Sequence, residues 1–298
     1  MLKFQPVSLG DKDLFNKFLR QRRYEGSEST FINLYMWQEC YNVQWTLIDN
    51  FLCVKGRLKD MNFVLPPYGA TDEGIEVAVD QLIEYFQDNN LPFMMRAVSQ
   101  KMKDSLEVVC PGKFTFTEEP DVFDYVYLAE DLISLAGRKY HRKRNHIKRF
   151  EKEYPGYRYV PLTEDLIEPC IINLKDWCIK KGCEEDESLV CERDAVIKAF
   201  EAFRKLDYIG GVILINNNVE AFTFGEALNK DTVLIHAEKA NSDINGIYQV
   251  INKEFLRNNW SQMKYVNREE DMGIEGLRKS KLSYYPLKMI VKYKAELK

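Results

Sequence analysis

The order of predicted elements in this chain repeats, and that repetition constrains the fold more than any other feature of the sequence. In the second half, "YIGGVILINNN" is an apolar run ending in an Asn-rich turn, the signature of a strand entering a hairpin. "VEAFTFGEAL" follows with partial alternation and, after the turn "NKD", "TVLIHAEKA" completes a three-strand antiparallel meander. "INGIYQVINKEFLRNN" then places Ile244, Ile247, Ile251 and Phe255 at helical spacing. "QMKYVNREE" reads as a strand, "GIEGLRKSKLS" as a short helix and "YPLKMIVKYKAEL" as a final strand. The first half runs in the same order. "WTLIDNFLCVKGRLKDMNFVLPPYG" predicts three strands joined by turns, and "GIEVAVDQLIEYFQDNN" a helix with Val79, Leu82, Ile83 and Phe86 on its apolar face. "LPFMMRAVS" is a strand, "QKMKDSLEVV" a short helix and "GKFTFTEEPDVFDYVYL" an extended finish. "LIDN" from Leu47 and "LINN" from Leu214 lie 167 residues apart, which sets the offset. The pattern predicts a duplicated α/β domain divided into residues 1–136 and 137–298.

At the junction stands "GRKYHRKRNHIKRF". Between Arg138 and Lys152 there are eight Lys or Arg residues and one acid, Glu151, in a chain whose net charge is −4. Wound as a helix, the segment places Tyr140, Ile147, Phe150 and Tyr154 on one side. Arg138, Arg142 and Arg149 fall opposite, with Lys139 and Lys148 on the flanks. A solvated helix normally mixes signs so that i,i+4 pairs form. Seven like charges between 138 and 149 repel one another unless an anion lies nearby, so the segment predicts a phosphate-bearing partner. Arg suits that role because its fork grips phosphate oxygens in a bidentate way. Nothing in the segment reads as a duplex-DNA recognition motif, and the isoelectric point is acidic.

Other classes are set aside by composition. The first residues show no charged segment followed by an apolar run, and no stretch approaches the roughly 18 apolar residues of a membrane helix. A cytoplasmic location is expected. Of seven cysteines, Cys170, Cys178, Cys183 and Cys191 are separated by gaps of seven, four and seven residues with no His among them, unlike zinc knuckles. Reduced, buried thiols and no metal site are expected. His141 and His146 belong to the basic helix and have no triad or ligand spacing.

"KYHRKRNHIKRF", "EAFTFGEALN", "IHAEKAN" and "NREEDMGIEGLRKSKLSYYP" together resemble the bacterial family of the C-terminal catalytic domain of phosphatidylglycerol lysyltransferase. The resemblance covers nearly the whole chain, and the last of these motifs is the most specific. More distantly, the chain resembles the Fem-type aminoacyltransferases. Both groups carry two acyl-CoA N-acyltransferase (GNAT-like) domains in tandem, so the resemblance implies an α/β, α+β-type fold with two mixed, mostly antiparallel sheets flanked by helices. It implies aminoacyl transfer from aminoacyl-tRNA to a lipid or another amine or hydroxyl acceptor, with no tightly bound cofactor. tRNA is then the expected partner and an anionic lipid a second, with a peripheral position at the membrane. Acyl-CoA as donor is one alternative, and a non-catalytic module binding RNA or anionic lipid is another. Acetyl-CoA-using GNAT domains place a Gly-rich turn after the meander to hold the pyrophosphate at a helix start. The corresponding "EKANSDINGIYQ" has only Gly246.

Acyl transfer needs a base, donors for the developing oxyanion and an acid for the leaving group. Glu226 and Glu238, on predicted strands of the meander, are the expected bases, with His236 and Lys239 beside Glu238. The "NREED" segment follows a strand, where sites sit on α/β sheets. There Asn267 and Arg268 are expected to bind phosphate or carboxylate, and Glu270 and Asp271 to orient an amine. Arg278, Lys279 and Lys281 form a second basic cluster before Tyr284, a candidate acid, and Tyr285, expected to pack. With Arg138, Arg142, Lys143, Arg144 and Arg149 of the junction and Lys239, the residues Asn267, Arg268, Arg278 and Lys281 make the expected substrate- and phosphate-binding set. The acidic run "EEDE" at 184–187 reads as a solvated loop and "FINLYMWQECY" as a helix with an aromatic core face.

Overall fold

The computed structural model describes residues 2–298. The first half contains β1 (Gln5–Pro6), α1 (Lys12–Leu19), α2 (Phe31–Met36), β2 (Gln44–Ile48), β3 (Phe51–Leu58), β4 (Met61–Val64), α3 (Ile75–Asp88), β5 (Met94–Ser99), α4 (Gln100–Val109), β6 (Phe114–Glu118) and β7 (Asp124–Leu128). The second continues with α5 (Ala129–Ser134), α6 (His141–Glu153), β8 (Arg158–Pro161), α7 (Ile167–Lys181), α8 (Glu187–Glu201), β9 (Ile209–Ile215), β10 (Asn218–Asn229), β11 (Thr232–Ala240) and α9 (Ile247–Asn259). β12 (Tyr265–Asn267), α10 (Glu275–Leu282), β13 (Lys288–Ile290) and β14 (Lys292–Leu297) complete it.

Two seven-stranded sheets result, in the orders β1-β2-β3-β4-β5-β14-β6 and β8-β9-β10-β11-β12-β7-β13. Position by position these are one topology used twice, as the repeat predicts. The last strand of each copy is exchanged: β7 lies in the second sheet and β14 in the first. The chain accordingly groups into one unit of Met1–Asp124, Glu270–Glu275 and Met289–Lys298 and another of Tyr125–Glu269 and Gly276–Lys288. This grouping differs from a contiguous division at 136/137 by residues 125–136, which hold most of β7 and all of α5, by the loop 270–275 and by residues 289–298, which hold β14. Two segments expected as continuous extended runs are each broken for this reason. The first bends at a 3-10 turn, Pro120–Val122, between β6 and β7, and the second at Val291 between β13 and β14.

In the first unit α3 buries Val79, Leu82, Ile83 and Phe86, the predicted face, against Cys53, Val64 and Met95 of the sheet and Ala295 of β14. In the second, Phe222 and Phe224 of β10 pack on Phe200 of α8, with ring centroids 5.2 and 5.6 Å apart. Each fully buried aromatic of this kind contributes about 2–3 kcal/mol by area alone. α7 and α8, between β8 and β9, stand where α1 and α2 stand between β1 and β2 in the first copy, and are about twice as long. The helical pattern of α7 and α8 is weak, and only their cysteines and the acidic run stand out in the sequence. Cys178 and Cys183 form a disulfide across the end of α7, which corrects the expectation of reduced thiols for that pair. Cys53, Cys110 and Cys170 are free and buried, and burial pushes the Cys170 thiol up to about 12.

The junction segment is a 3-10 turn, Arg138–Tyr140, running into α6. Tyr140, Ile147 and Phe150 are buried, and the Phe150 ring contacts Tyr154 and Tyr157 at 5.2 and 5.0 Å. Arg138, Arg142, Lys148 and Arg149 are exposed. The helix lies over the start of α9: a Cβ on Gly246, which caps α9 with φ +89°, would stand 2.5 Å from the His146 carbonyl oxygen. Only glycine fits there.

Candidate active site

The second sheet opens where its parallel pair ends. β11 and β12 are in register at Thr232–Tyr265, Val233–Val266 and Leu234–Asn267, after which β12 stops and β11 continues to Ala240. The edge of β11 left unpaired by β12 thus faces the turn that follows β12, and two ion pairs connect them. Arg268 Nη2 donates to Glu238 Oε1 at 3.0 Å, and His236 Nδ1 lies 3.3 Å from Glu269 Oε1.

A bulge aims His236. β10 pairs Phe224 with Ala237 but Gly225 with Ile235, so His236 has no opposite residue in the ladder. Gly225 permits this because a Cβ there would meet the Leu234 carbonyl oxygen at 2.3 Å. The imidazole is buried, and its Nε2 lies 3.0 Å from Glu226 Oε1. Burial opposes a charge on the ring, but the hydrogen bonds and fields of Glu226 and Glu269 outweigh it and raise the pKa to about 9. A raised folded pKa means that the stabilisation is complete below the unfolded value near 6.5 and is lost as pH rises through about 9. Unfolding free energy is therefore expected to fall by up to about 3 kcal/mol between those values. A chemical-denaturation series from pH 6 to 9.5 measures this, and His236→Gln should remove most of the slope; an unchanged slope in the variant would refute the assignment.

Arg268 lies in an aromatic bracket. Its guanidinium carbon is 5.0 Å from the Tyr284 ring centroid and 5.9 Å from that of Tyr127, and Nη1 is buried without a hydrogen-bond partner among the described residues. Glu238 takes a second hydrogen bond, from Asn252 Nδ2 of α9 at 3.0 Å. Lys143, on the inward side of α6, reaches the same group: Nζ stands 3.8 Å from the Tyr284 centroid and donates to Ser283 Oγ at 2.7 Å. Burial, together with the field of Arg268, lowers the Lys143 pKa to about 8, with Glu238 opposing. Tyr284 is buried, and desolvation raises its phenol well above the ordinary value, so it stays protonated. The turn itself is tightly held. Glu269 has φ +57°, Asn267 Oδ1 accepts from Glu269 N at 2.8 Å, and Lys281 Nζ donates to the carbonyls of Arg268 and Glu269.

Of the residues expected from sequence, the structure brings Lys143, Glu226, Glu238, Arg268 and Tyr284 into this cluster. Asn267 and Lys281 take different positions from those expected: both are buried and hold the turn by hydrogen bonds. Arg144 likewise donates to the carbonyls of Leu135 and Gly137 at the end of α5. Lys239 is buried against Glu192 Oε1, at 2.6 Å, with its Nζ 3.6 Å from the Trp177 ring centroid. Arg278 is half-buried on α10. Glu270 and Asp271 belong to the other unit; Asp271 is buried and accepts from Gly273 N at 2.9 Å. Tyr285, expected to pack, is 49% exposed with one edge on the Tyr140 ring at 5.6 Å. Tyr127, Asn252, Glu269 and Ser283 were not expected. Tyr127 has no local signal, since β7 enters this sheet from the other copy.

The first unit holds a separate buried cluster. Lys292 Nζ of β14 donates to Asp124 Oδ1 at 2.7 Å and Ser27 Oγ at 3.1 Å and lies 2.9 Å from Glu28 Oε2. Ser27 also donates to Asp124 through its N–H and hydroxyl, at 2.8 and 3.0 Å. Burial raises the Glu28 pKa and the Asp124 and Glu28 charges raise that of Lys292. Among the described residues no group of three or more His, Cys, Asp or Glu is placed to hold a metal, and no helix is long and apolar enough to cross a membrane.

Two mixed sheets of one topology, each with a parallel pair at the same place in its strand order (β4 with β5, β11 with β12), define a tandem GNAT-like fold. A tandem GNAT protein from the clavulanic acid biosynthesis pathway superposes with a TM-score of 0.50 over 99% of this chain and 98% of that one, at 8% identity. The chain belongs to the phosphatidylglycerol lysyltransferase C-terminal family, a transferase family whose model matches residues 19–296. A conserved protein of unknown function from Bacteroides thetaiotaomicron is 38% identical over the full length of both chains, with a TM-score of 0.94. L-PGS from Bacillus licheniformis has the same fold, with a TM-score of 0.67 over 98% of this chain and 92% of that one, at 11% identity. A curated relative, an uncharacterised protein of Mycoplasmoides gallisepticum, is 24% identical over 178 residues, and the match spans about half of that protein's length.

Proposed function

We propose that this chain transfers an aminoacyl group from aminoacyl-tRNA to the hydroxyl or amine of a lipid or other acceptor, using the Lys143–Tyr284–Arg268–Glu238 cluster. One observation carries the reading: α6 serves two surfaces at once. Its inward side places Lys143 on Tyr284, while Arg142 and Arg149 remain exposed on the opposite side and Arg138 is exposed on the turn that leads into it. From residue 142 to 149 a helix rises about 10 Å, so a phosphate backbone along that side would bring its end close to the cluster. An acyl-CoA donor is less favoured, because α6 occupies the approach to the first turn of α9, where a pyrophosphate would sit.

In the proposed reaction the acceptor O–H or N–H attacks the ester carbonyl and its proton passes to the neutral Lys143 amine. The ribose oxygen leaves and takes that proton from the Lys143 ammonium, which restores the neutral amine. At pH 7.5 a pKa of about 8 leaves roughly a quarter of Lys143 neutral, enough for a proton acceptor. Arg268, held by Glu238, supplies fixed positive charge beside the reacting group.

tRNA binding measured by filter retention tests the donor. Replacing Arg138, Arg142 and Arg149 together by Ala is expected to weaken binding by one to two orders of magnitude and to flatten the log K against log[salt] slope by about 2. Transfer of a labelled amino acid from charged tRNA, assayed beside acetyl-CoA, completes the test. An unaltered triple variant, or transfer from acetyl-CoA alone, overturns the reading.

A further inference from the structure

We infer that the segment from Gly276 to Lys288 is a docking surface for an anionic lipid bilayer. The observation is a coincidence of exposed apolar side chains and one sign of charge. Among the described residues thirteen large hydrophobic side chains remain more than a third exposed, and four of them fall within these thirteen residues: Leu277 (38%), Leu282 (50%), Tyr285 (49%) and Leu287 (53%). An even distribution along 298 residues would place fewer than one there. The same stretch, "GLRKSKLSYYPLK", contains four basic residues and no acid, in a chain of net charge −4. Lys279 and Lys288 are exposed, and Lys139 of the turn before α6 adds its ammonium 5.5 Å from the Tyr285 ring centroid. Asp131 pairs with Lys139 at 3.0 Å.

RNA alone explains only one half of the pattern. A polyanion of phosphates rewards the cations, but half-exposed leucines gain little from it. A second copy of this acidic chain, or another protein, would need roughly 800 Å² from each side for a stable contact, more than a few half-exposed side chains supply. A bilayer with anionic headgroups rewards both parts. Leucine side chains enter the headgroup–acyl boundary, tyrosine lies at that level, and cations remain among the phosphates. The backbone is already held for this. Tyr285 N donates to the Leu282 carbonyl and Leu287 N to Val126 O of β7, at 2.9 and 2.8 Å, so the apolar side chains are presented from fixed structure.

The inference extends the proposed function by placing its acceptor at a lipid surface, but its test needs no transfer. The full chain is sedimented with vesicles of phosphatidylcholine alone and with about 30% phosphatidylglycerol or phosphatidylserine. Binding to both anionic mixtures and not to phosphatidylcholine alone is expected. Leu282→Ser with Leu287→Ser should reduce it at least tenfold with the circular dichroism spectrum unchanged, and Lys279→Glu should reduce it more than fivefold. A single Leu287→Trp variant should add a blue-shifted emission on anionic vesicles. Retention of vesicle binding by the leucine double variant, no shift at Trp, or binding of tRNA with no binding of vesicles would each overturn the inference. Loss of transfer in the α6 arginine variant, with vesicle binding intact, would bear on the donor alone.

Discussion

Replacing Lys292 by Met is expected to lower the unfolding free energy by about 3–5 kcal/mol, the largest effect of any single substitution discussed for this chain. Lys292 is 4% exposed and Asp124 0%, so the change strands a buried carboxylate beside the partly buried Glu28. The methionine itself fits: its length matches the lysine stem, and the loss comes from the uncompensated charge rather than from a cavity. Adding Asp124→Asn should return a substantial part of the loss, because the amide oxygen still accepts from Ser27 and the fully buried carboxylate is gone, leaving only the partly buried Glu28 without its lysine. Urea denaturation of the single and double variants decides the matter. A loss below about 1 kcal/mol for Lys292→Met, or no recovery in the double variant, would show that the cluster is wet or unimportant. The cost is expected to be large because Lys292 lies on the exchanged strand β14, between β5 and β6.

Lys143→Arg is expected to cut the transfer rate by about 10²–10³ while leaving tRNA affinity within a few-fold of wild type. Arginine keeps the positive charge of the helix but does not release a proton near neutral pH. The wild-type rate should rise with pH through about 8, since burial and Arg268 lower the amine toward that value and only the neutral form takes a proton. In Lys143→Arg that limb should vanish. If the variant kept the limb, the titrating group would lie elsewhere; if it lost tRNA affinity in proportion to rate, Lys143 would be a phosphate contact and not a proton acceptor.

How much of this was legible in the sequence differs from element to element. The meander of β9, β10 and β11, helix α9 and the repeat with the first half follow from apolar periodicity, which reports which side of an element is buried. The inward stripe of α6 at Tyr140, Ile147 and Phe150 was legible for the same reason. Glu238, Arg268 and Tyr284 stood out because they are polar groups in or beside apolar runs. Periodicity is silent on the partner of a strand. It therefore missed that β7 and β14 change sheets, and with them Tyr127 and the Lys292 cluster. It is equally silent on what a charged side chain meets. Lys281, Lys239 and Arg144 look like Arg138 in a sequence, yet each is taken up by a carbonyl or carboxylate inside the fold.

The sequence by itself determined the duplication, the sheet-and-helix order, the basic junction and the family, because each depends on residue types at set intervals. Tertiary structure alone decided which cations remain available to a ligand and which ionisable groups share one desolvated cluster. Hydrogen bonding and burial act between residues that the chain separates widely: Lys143 meets Ser283 and Tyr284, and Lys292 meets Ser27. The junction helix illustrates both sides of this division. Its charge is written in the sequence, but only folding turns Lys143 inward and leaves Arg138, Arg142 and Arg149 facing out.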